Sequence, residues 1–219
     1  MARAELYLVQ SSKGRQGVRQ ISAVNDEKRL ALDLAEMRNL ALSMGADDAA
    51  ILGPDDIVLD PDSSGGADAV KTYTSAHWPI GYPNDSVVDA VRAFSSAVFF
   101  RLKTPADMPD HGQGLITEPG YRKLYEKLNF ITTQVESSAF YKGYQLTLGF
   151  GAGNCRAIYC HKEKRCMAVI KGRTCRHPYK ARPSAIAMGL DVESMAKALG
   201  WEFWNEETGP LLAGIIFVD

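Results

Sequence analysis

The sequence predicts an α/β or α+β fold, a layered mixed sheet with flanking helices and a cysteine-rich loop near the C-terminus. Short apolar runs typical of strands alternate along the chain with segments in which apolar residues recur at helical spacing. The chain is 46% hydrophobic and 23% charged, which is the composition of a protein with one sizeable core. All four cysteines lie within residues 153–178, in the stretch GNCRAIYCHKEKRCMAVIKGRTCRHP.

The N-terminal part predicts two strands, a long helix and two further short strands. The helix is predicted because Leu30, Leu34 and Met37 begin an apolar series at helical spacing, preceded by a suitable capping residue. The predicted elements are strands at 4–10 and 17–24, a helix from the cap Asn25 to Gly45, and strands at 49–52 and 57–59.

The rest of the chain continues the alternation of helices and strands. A second long helix is predicted because Leu124, Leu128 and Ile131 recur on one face. The predicted elements are a helix after Asn84 or Asp85, a buried strand at 97–103, a loop at 104–120, a helix at 121–140, a strand at 144–150, short helices within 183–189 and 191–200, and a buried strand at 211–218. We expect a single domain over 1–219, in which 151–184 forms a cysteine-rich metal-binding loop segment.

The cellular setting follows from what the sequence lacks. No apolar run approaches the roughly 20 residues of a membrane helix, and the amino terminus has no secretory signal pattern, so we expect a cytoplasmic protein away from membranes. Thiols stay reduced in the cytoplasm. The clustered cysteines are therefore predicted to bind metal or to act in redox chemistry, since disulfides are rare there.

Charge is distributed unevenly along the chain. Residues 155–182 contain nine basic side chains and a single acid, Glu163, although the whole chain has a net charge of -1. The remainder is therefore acidic and would be repelled by phosphate, which argues against nucleic-acid binding. The basic residues can compensate the negative charge of metal-bound thiolates, or they can simply face solvent.

The spacing of the cysteines restricts the metal they would bind. Four, five and eight residues separate Cys155, Cys160, Cys166 and Cys175. A zinc site commonly uses thiols two to four residues apart, because one small ion must draw four sulfurs together. The wider gaps on one irregular loop favour an iron–sulfur cubane, whose ligands lie farther apart, and leave zinc as the alternative.

Other residues of this region have candidate supporting roles. Gly151, Gly153 and Gly172 would let backbone amides approach the sulfurs, since glycine has no Cβ. His161 and His177 flank cysteines and are expected to support the ligands or to be exposed, because four thiols already complete a ligand set.

The run GAGNCRAIYCHKEKRCMAVIKGRTCRHPYKARPSAIAMGLDV resembles a family of predicted metal-binding proteins, domain of unknown function 2284, known mostly from anaerobic bacteria and archaea. The motifs that carry the resemblance are CRHP at 175–178, ARPS at 181–184 and GLDV at 189–192. The resemblance is specific over 135–200, including the lead-in VESSAFYKGYQLTLGFGAG. It implies an iron–sulfur site held by the C-terminal cysteines.

This sequence departs from the family pattern in the middle of the chain. Trp78 stands where family members often have a cysteine, which implies that a second metal site is lost. The surrounding Tyr73, His77 and Tyr82 are interpreted as residues that fill the vacated space, with a substrate pocket beside the cluster as the alternative.

The combined expectation is one [4Fe-4S] cluster bound through Cys155, Cys160, Cys166 and Cys175, in redox or electron transfer or as an accessory component of anaerobic metabolism. One alternative is an enzyme that uses an open iron to transform a small-molecule substrate. Another is a zinc-stabilised interaction module. The expected partner is a redox protein or a small-molecule substrate, with no nucleic acid and no membrane.

Overall fold

The computed structural model describes residues 27–59, 91–108, 118–144, 146–163, 166–171, 173–202, 204–205, 207 and 209–219. The strands expected at 4–10 and 17–24, most of the helix expected after Asn84 or Asp85, and the loop that contains Tyr73, His77, Trp78 and Tyr82 lie outside the described residues.

The elements follow one another in the alternating order that the apolar pattern predicts. In chain order the main ones are α1 (Glu27–Ser43), β1 (Asp48–Leu52), β2 (Ser96–Leu102), α2 (Pro119–Tyr141) and β3 (Thr147–Phe150). They are followed by α3 (Cys155–Tyr159), α4 (Met167–Lys171), α5 (Val192–Ala198), β4 (Trp204–Asn205), β5 (Gly209–Pro210) and β6 (Leu212–Val218). Single 3-10 turns lie at Pro54–Asp56 and Ile186–Met188.

A four-stranded sheet in the order β1-β2-β6-β3 forms the centre of the described chain. All three of its strand pairings are antiparallel, with Phe99 opposite Ile215 and Phe150 opposite the same Ile215 on the other side. The predicted α/β or α+β class, with helices flanking the sheet, is confirmed. Where a mixed sheet was expected, all strand pairings of this sheet are antiparallel. The strands β4 and β5 pair with each other in a separate two-stranded sheet.

Both faces of the sheet are buried. Along β6 the side chains alternate: Leu212, Ile216 and Val218 join a core with α1 and α2, whereas Ile215 and Phe217 join a second core. The second core includes residues from Ala185 to Trp201, which cover the opposite face. This double burial explains why β6 reads as a continuous apolar run, with all seven residues buried.

Two sequence expectations about local structure are wrong. Residues 57–59 do not form a strand. Within the described chain only Leu59 pairs with another segment, in a single bridge to Leu190, and one bridge is too little to make a strand. The cysteine segment is not one irregular loop, since it contains the short helices α3 and α4. The side chain of Asn154 caps α3, which accounts for the first of these helices.

Within the residues that the structure describes, no helix is both long enough and apolar enough to cross a membrane.

Candidate metal centre

The cysteine segment leaves the sheet at the end of β3 and returns beside its own starting point. The N–H of Gly151 donates to the carbonyl of Pro183 at 2.8 Å, and the N–H of Ala185 donates to the carbonyl of Gly151 at 2.9 Å. These bonds pair Gly151 with Ser184 in a parallel bridge. The intervening residues therefore form an excursion with a closed base.

Gly151 has a different role from the one that the sequence suggested. A Cβ at this position would overlap Oδ1 of Asn129, a fully buried residue of α2. The missing side chain lets the two ends of the segment pack against α2. This packing accounts for a glycine at position 151 whether or not its amide approaches the sulfurs. Gly153 adopts a positive φ of 75°, and Gly172 lies outside the described residues.

A buried ion pair holds the returning end of the excursion. Nε of Arg182 donates to Oε2 of Glu136 at 2.9 Å, and Nη2 contacts the same oxygen. The other carboxylate oxygen of Glu136 accepts from the N–H of Gly149 at 3.0 Å. Because a buried guanidinium requires a charged partner, this pair fastens the segment to α2 and β3 together.

Three of the four cysteines lie at the ends of the two short helices, and the fourth follows the second helix. Cys155 is the first residue of α3 and is buried, and Cys160 follows the last residue of that helix. Asn154 orients α3, since its Oδ1 accepts from the N–H of Arg156 at 2.9 Å. Cys166 immediately precedes α4, and Cys175 lies on the connection after it.

These positions bring all four cysteines to the wall of one cavity. The cavity comprises about 410 Å³, including space open to solvent. Cys155 is buried, whereas the other three thiols are half-buried. The remaining wall residues that matter here are Tyr159, Glu163, Thr174, Arg176 and His177.

Contacts between the two halves of the segment close the cavity wall. Glu163, which follows α3, forms an ion pair with Arg176, which follows α4. The rings of Tyr159 and His177 lie 5.6 Å apart between centroids, inclined at 32°. The backbone N–H of His177 donates to Sγ of Cys175 at 3.4 Å.

The electrostatics show that the thiols influence one another. Burial raises the pKa of the Cys160 thiol, the nearby Cys175 and Cys166 raise it further, and Arg176 opposes them. Several negative sulfurs in one place are thus unfavourable without a compensating cation. Burial likewise raises the pKa of Tyr159, so its phenol stays protonated near neutral pH.

The thiols surround a space and do not converge on a point. Among the described residues, no three or more His, Cys, Asp or Glu side chains form a group able to hold a metal ion as they stand. The four cysteines carry free thiols without disulfides between them. Of the two flanking histidines, His177 lines the cavity, whereas His161 is exposed and is not part of its wall.

Sequence reasoning missed several residues that build this site. Asn154 carries a recognisable signal, an Asn before a helix, which a closer inspection of the cysteine stretch would have found. Glu136 and Arg182 are 46 residues apart, and no local pattern relates them. Tyr159 was not singled out by any sequence pattern.

Comparison with known proteins gives one family. The sequence profile described as "Predicted metal-binding protein (DUF2284)" matches residues 64–217. No curated protein and no solved structure gives a match to this chain.

Proposed function

Because the chain belongs to the family of predicted metal-binding proteins with domain of unknown function 2284, we propose that it binds one [4Fe-4S] cluster. The ligands would be Cys155, Cys160, Cys166 and Cys175. The protein would act in electron transfer, or as an accessory redox component of anaerobic metabolism, since a bound cluster supplies a one-electron redox centre.

The observation that carries this proposal is that all four thiols of the chain line one cavity. Their side chains come from four separate backbone positions, at the ends of two short helices and on the following connection. Cysteine is a soft ligand that favours zinc and iron–sulfur clusters over hard cations such as magnesium. The donor set therefore fits both of the metal centres that the spacing leaves open.

Two features support a cluster over a single zinc ion. The intervals between the cysteines are wider than the tight knuckles typical of zinc sites. The four thiols also line one cavity together with Arg156 and with Arg176, which is paired with Glu163. A positive wall compensates the net negative charge of a cluster bound to four thiolates.

The direct test is purification without oxygen followed by iron, sulfide and zinc analysis. We expect about four iron and four sulfide per chain, with a broad absorption band at about 400 nm. One zinc per chain with no sulfide would replace the proposal by a zinc-stabilised module. Neither metal, or thiols recovered as disulfides, would contradict metal binding at this site.

Substitution of each cysteine by serine identifies the ligands. Each of the four variants should lose most of its iron, whereas Thr174→Ala, which alters a wall residue without a thiol, should retain it. If one cysteine variant keeps a full complement of iron, that thiol is not a ligand. The proposal would then change to an enzyme with one iron open to a small-molecule substrate.

A further inference from the structure

The segment that forms the cysteine cavity carries a concentration of exposed positive charge, called the rim here, of which Arg156 and Arg176 line the cavity itself. Within the described residues of the segment, the exposed basic side chains are Arg156, Lys162, Lys171, Arg173, Arg176 and Lys180. The single acid, Glu163, forms an ion pair with Arg176, so these two charges offset each other and five of the exposed basic side chains remain. Because the rest of the chain is net acidic, the positive charge of the sequence is concentrated in this segment.

An exposed aromatic side chain lies on the same rim. The carbonyl of His177 accepts from the N–H groups of Lys180 and Ala181, at 3.1 and 2.9 Å, which closes a turn. Tyr179 projects from this turn and is 82% exposed. His177 and Ala181, the two ends of the turn, line the cavity, so Tyr179 lies within two residues of the cavity wall along the chain.

Exposed tyrosine and arginine together are typical of protein interfaces, where they supply most of the binding energy. A surface whose lysines serve only solubility would not be expected to combine exposed arginine with an exposed tyrosine. From these two observations we infer that the rim is the docking surface for an acidic electron-carrier protein. The inference rests on the proposed function, because a carrier must approach the metal centre closely.

Electrostatics favours a protein partner over nucleic acid. An acidic protein patch meets only the positive rim, whereas an extended polyanion would also meet the acidic remainder of the chain. A transient complex of this kind is expected to be small and to depend on charge for its rate of formation.

The test measures binding directly, using the cluster-loaded protein and an acidic plant-type ferredoxin as the probe. Calorimetry should show association that weakens at least about tenfold when NaCl rises from about 50 to about 300 mM. A basic cytochrome c should not bind. Equal binding of both carriers, or association that is independent of salt, would overturn the inference.

Matched variants locate the surface. Arg173→Glu should weaken binding about tenfold or more, whereas Arg92→Glu makes the same charge change at another exposed arginine. Arg92 precedes β2 at the sheet end where Thr147 and Val218 lie, opposite the end at which β3 leads into the cysteine segment. Equal effects of the two variants would contradict a local docking surface.

A second pair tests the aromatic anchor. Tyr179→Ala should weaken binding about fivefold or more, whereas Tyr141→Ala removes a ring that is 86% exposed at the end of α2 and should change little. Iron content is measured on every sample. Loss of iron would count against the proposed function, whereas full iron content without ferredoxin binding would overturn the docking surface alone. Binding of a short DNA duplex in preference to ferredoxin would overturn it as well.

Discussion

At the scale of single residues, the junction between β3 and the cysteine segment depends on the absence of a side chain. Gly151 makes hydrogen bonds in both directions, to Pro183 and from Ala185, and simultaneously lies against the buried Asn129. Its φ is not in the left-handed region, so the requirement for glycine here is spatial.

Gly151→Ala should therefore lower the free energy of unfolding by about 2 kcal/mol or more, since a methyl group would displace Asn129 in a packed region. The control is Gly120→Ala in the first turn of α2, where an added Cβ meets nothing within 4 Å. Urea unfolding measures both. Similar stabilities for the two variants would show that the contact with α2 relaxes easily.

Asp33 is a buried carboxylate whose ionised form is stabilised by hydrogen bonds from neighbouring side chains. Its two oxygens accept from Nζ of Lys142 and from the hydroxyl of Tyr144, each at 2.8 Å. Burial alone would raise the pKa of Asp33, but these hydrogen bonds outweigh burial and hold the pKa below its ordinary value. The same contact, together with burial, raises the pKa of Tyr144 to about 12.

Because the folded pKa of Asp33 is lowered, its stabilising contribution is complete above the ordinary carboxyl pKa and is lost as pH falls through the folded value. Asp33→Asn should lower the free energy of unfolding by about 1 kcal/mol at pH 7, allowing for solvent screening. The difference should shrink as pH falls well below about 3.9.

The control for Asp33→Asn is Glu126→Gln, which alters a carboxylate whose side chain is 43% exposed and lies 3.7 Å from Arg122. Exposed pairs contribute little, so this variant should change stability by less than about 0.5 kcal/mol at either pH. Denaturant unfolding at neutral and acidic pH compares the two. A pH-independent effect of Asp33→Asn would indicate that its charge is not the stabilising property.

At the scale of elements, two short helices near the C-terminus are capped in the same way but have different neighbours. Oδ1 of Asn154 caps α3, whose ends carry Cys155 and Cys160. Oδ1 of Asp191 caps α5 through the N–H of Ser194 at 2.9 Å, and α5 packs in the second core, away from the cavity wall.

Asn154→Ala and Asp191→Ala should each cost about 1 kcal/mol, the usual effect of losing a cap. Only Asn154→Ala should speed the loss of iron to a chelator, because α3 sets the positions of two proposed ligands. Iron release followed by absorption distinguishes them. Equal release rates would mean that the orientation of α3 does not control the centre.

At the scale of the whole molecule, the sheet and the cysteine segment are stabilised by different means. The two cores bury the sheet from both faces. The segment is fastened at its base by the Gly151 bonds and by the Arg182–Glu136 pair, and Ile158 of α3 is buried in the first core. Contacts across its outer part include the Glu163–Arg176 ion pair and the ring contact of Tyr159 with His177, and a bound metal would add stabilisation there.

Removal of the metal should therefore loosen the segment selectively. Hydrogen exchange should become faster at the amides of 155–177, while those of β2 and β6 stay protected, since their burial does not involve the cavity. Mass spectrometry of the metal-loaded and metal-free protein measures this. Uniform loss of protection would show that the fold as a whole requires metal.

Much of the fold was predictable from local pattern. The long helices α1 and α2 have sustained apolar spacing, and β2 and β6 are dense apolar runs, so hydrophobic periodicity identified each of them. The cysteine spacing likewise identified the candidate ligands before any geometry was known. The strand predicted at 57–59 was wrong because an apolar run forms a strand only where a partner strand is available.

The sequence by itself thus determined the type of most described elements and the chemistry of the thiol donors, because both are properties of neighbouring residues. Only the tertiary structure decided that β6 lies between β2 and β3, that Arg182 meets Glu136, and that the four thiols face one cavity. These contacts join residues far apart in the chain. They are selected by packing and by the neutralisation of buried charge, which leave no periodic trace in the sequence.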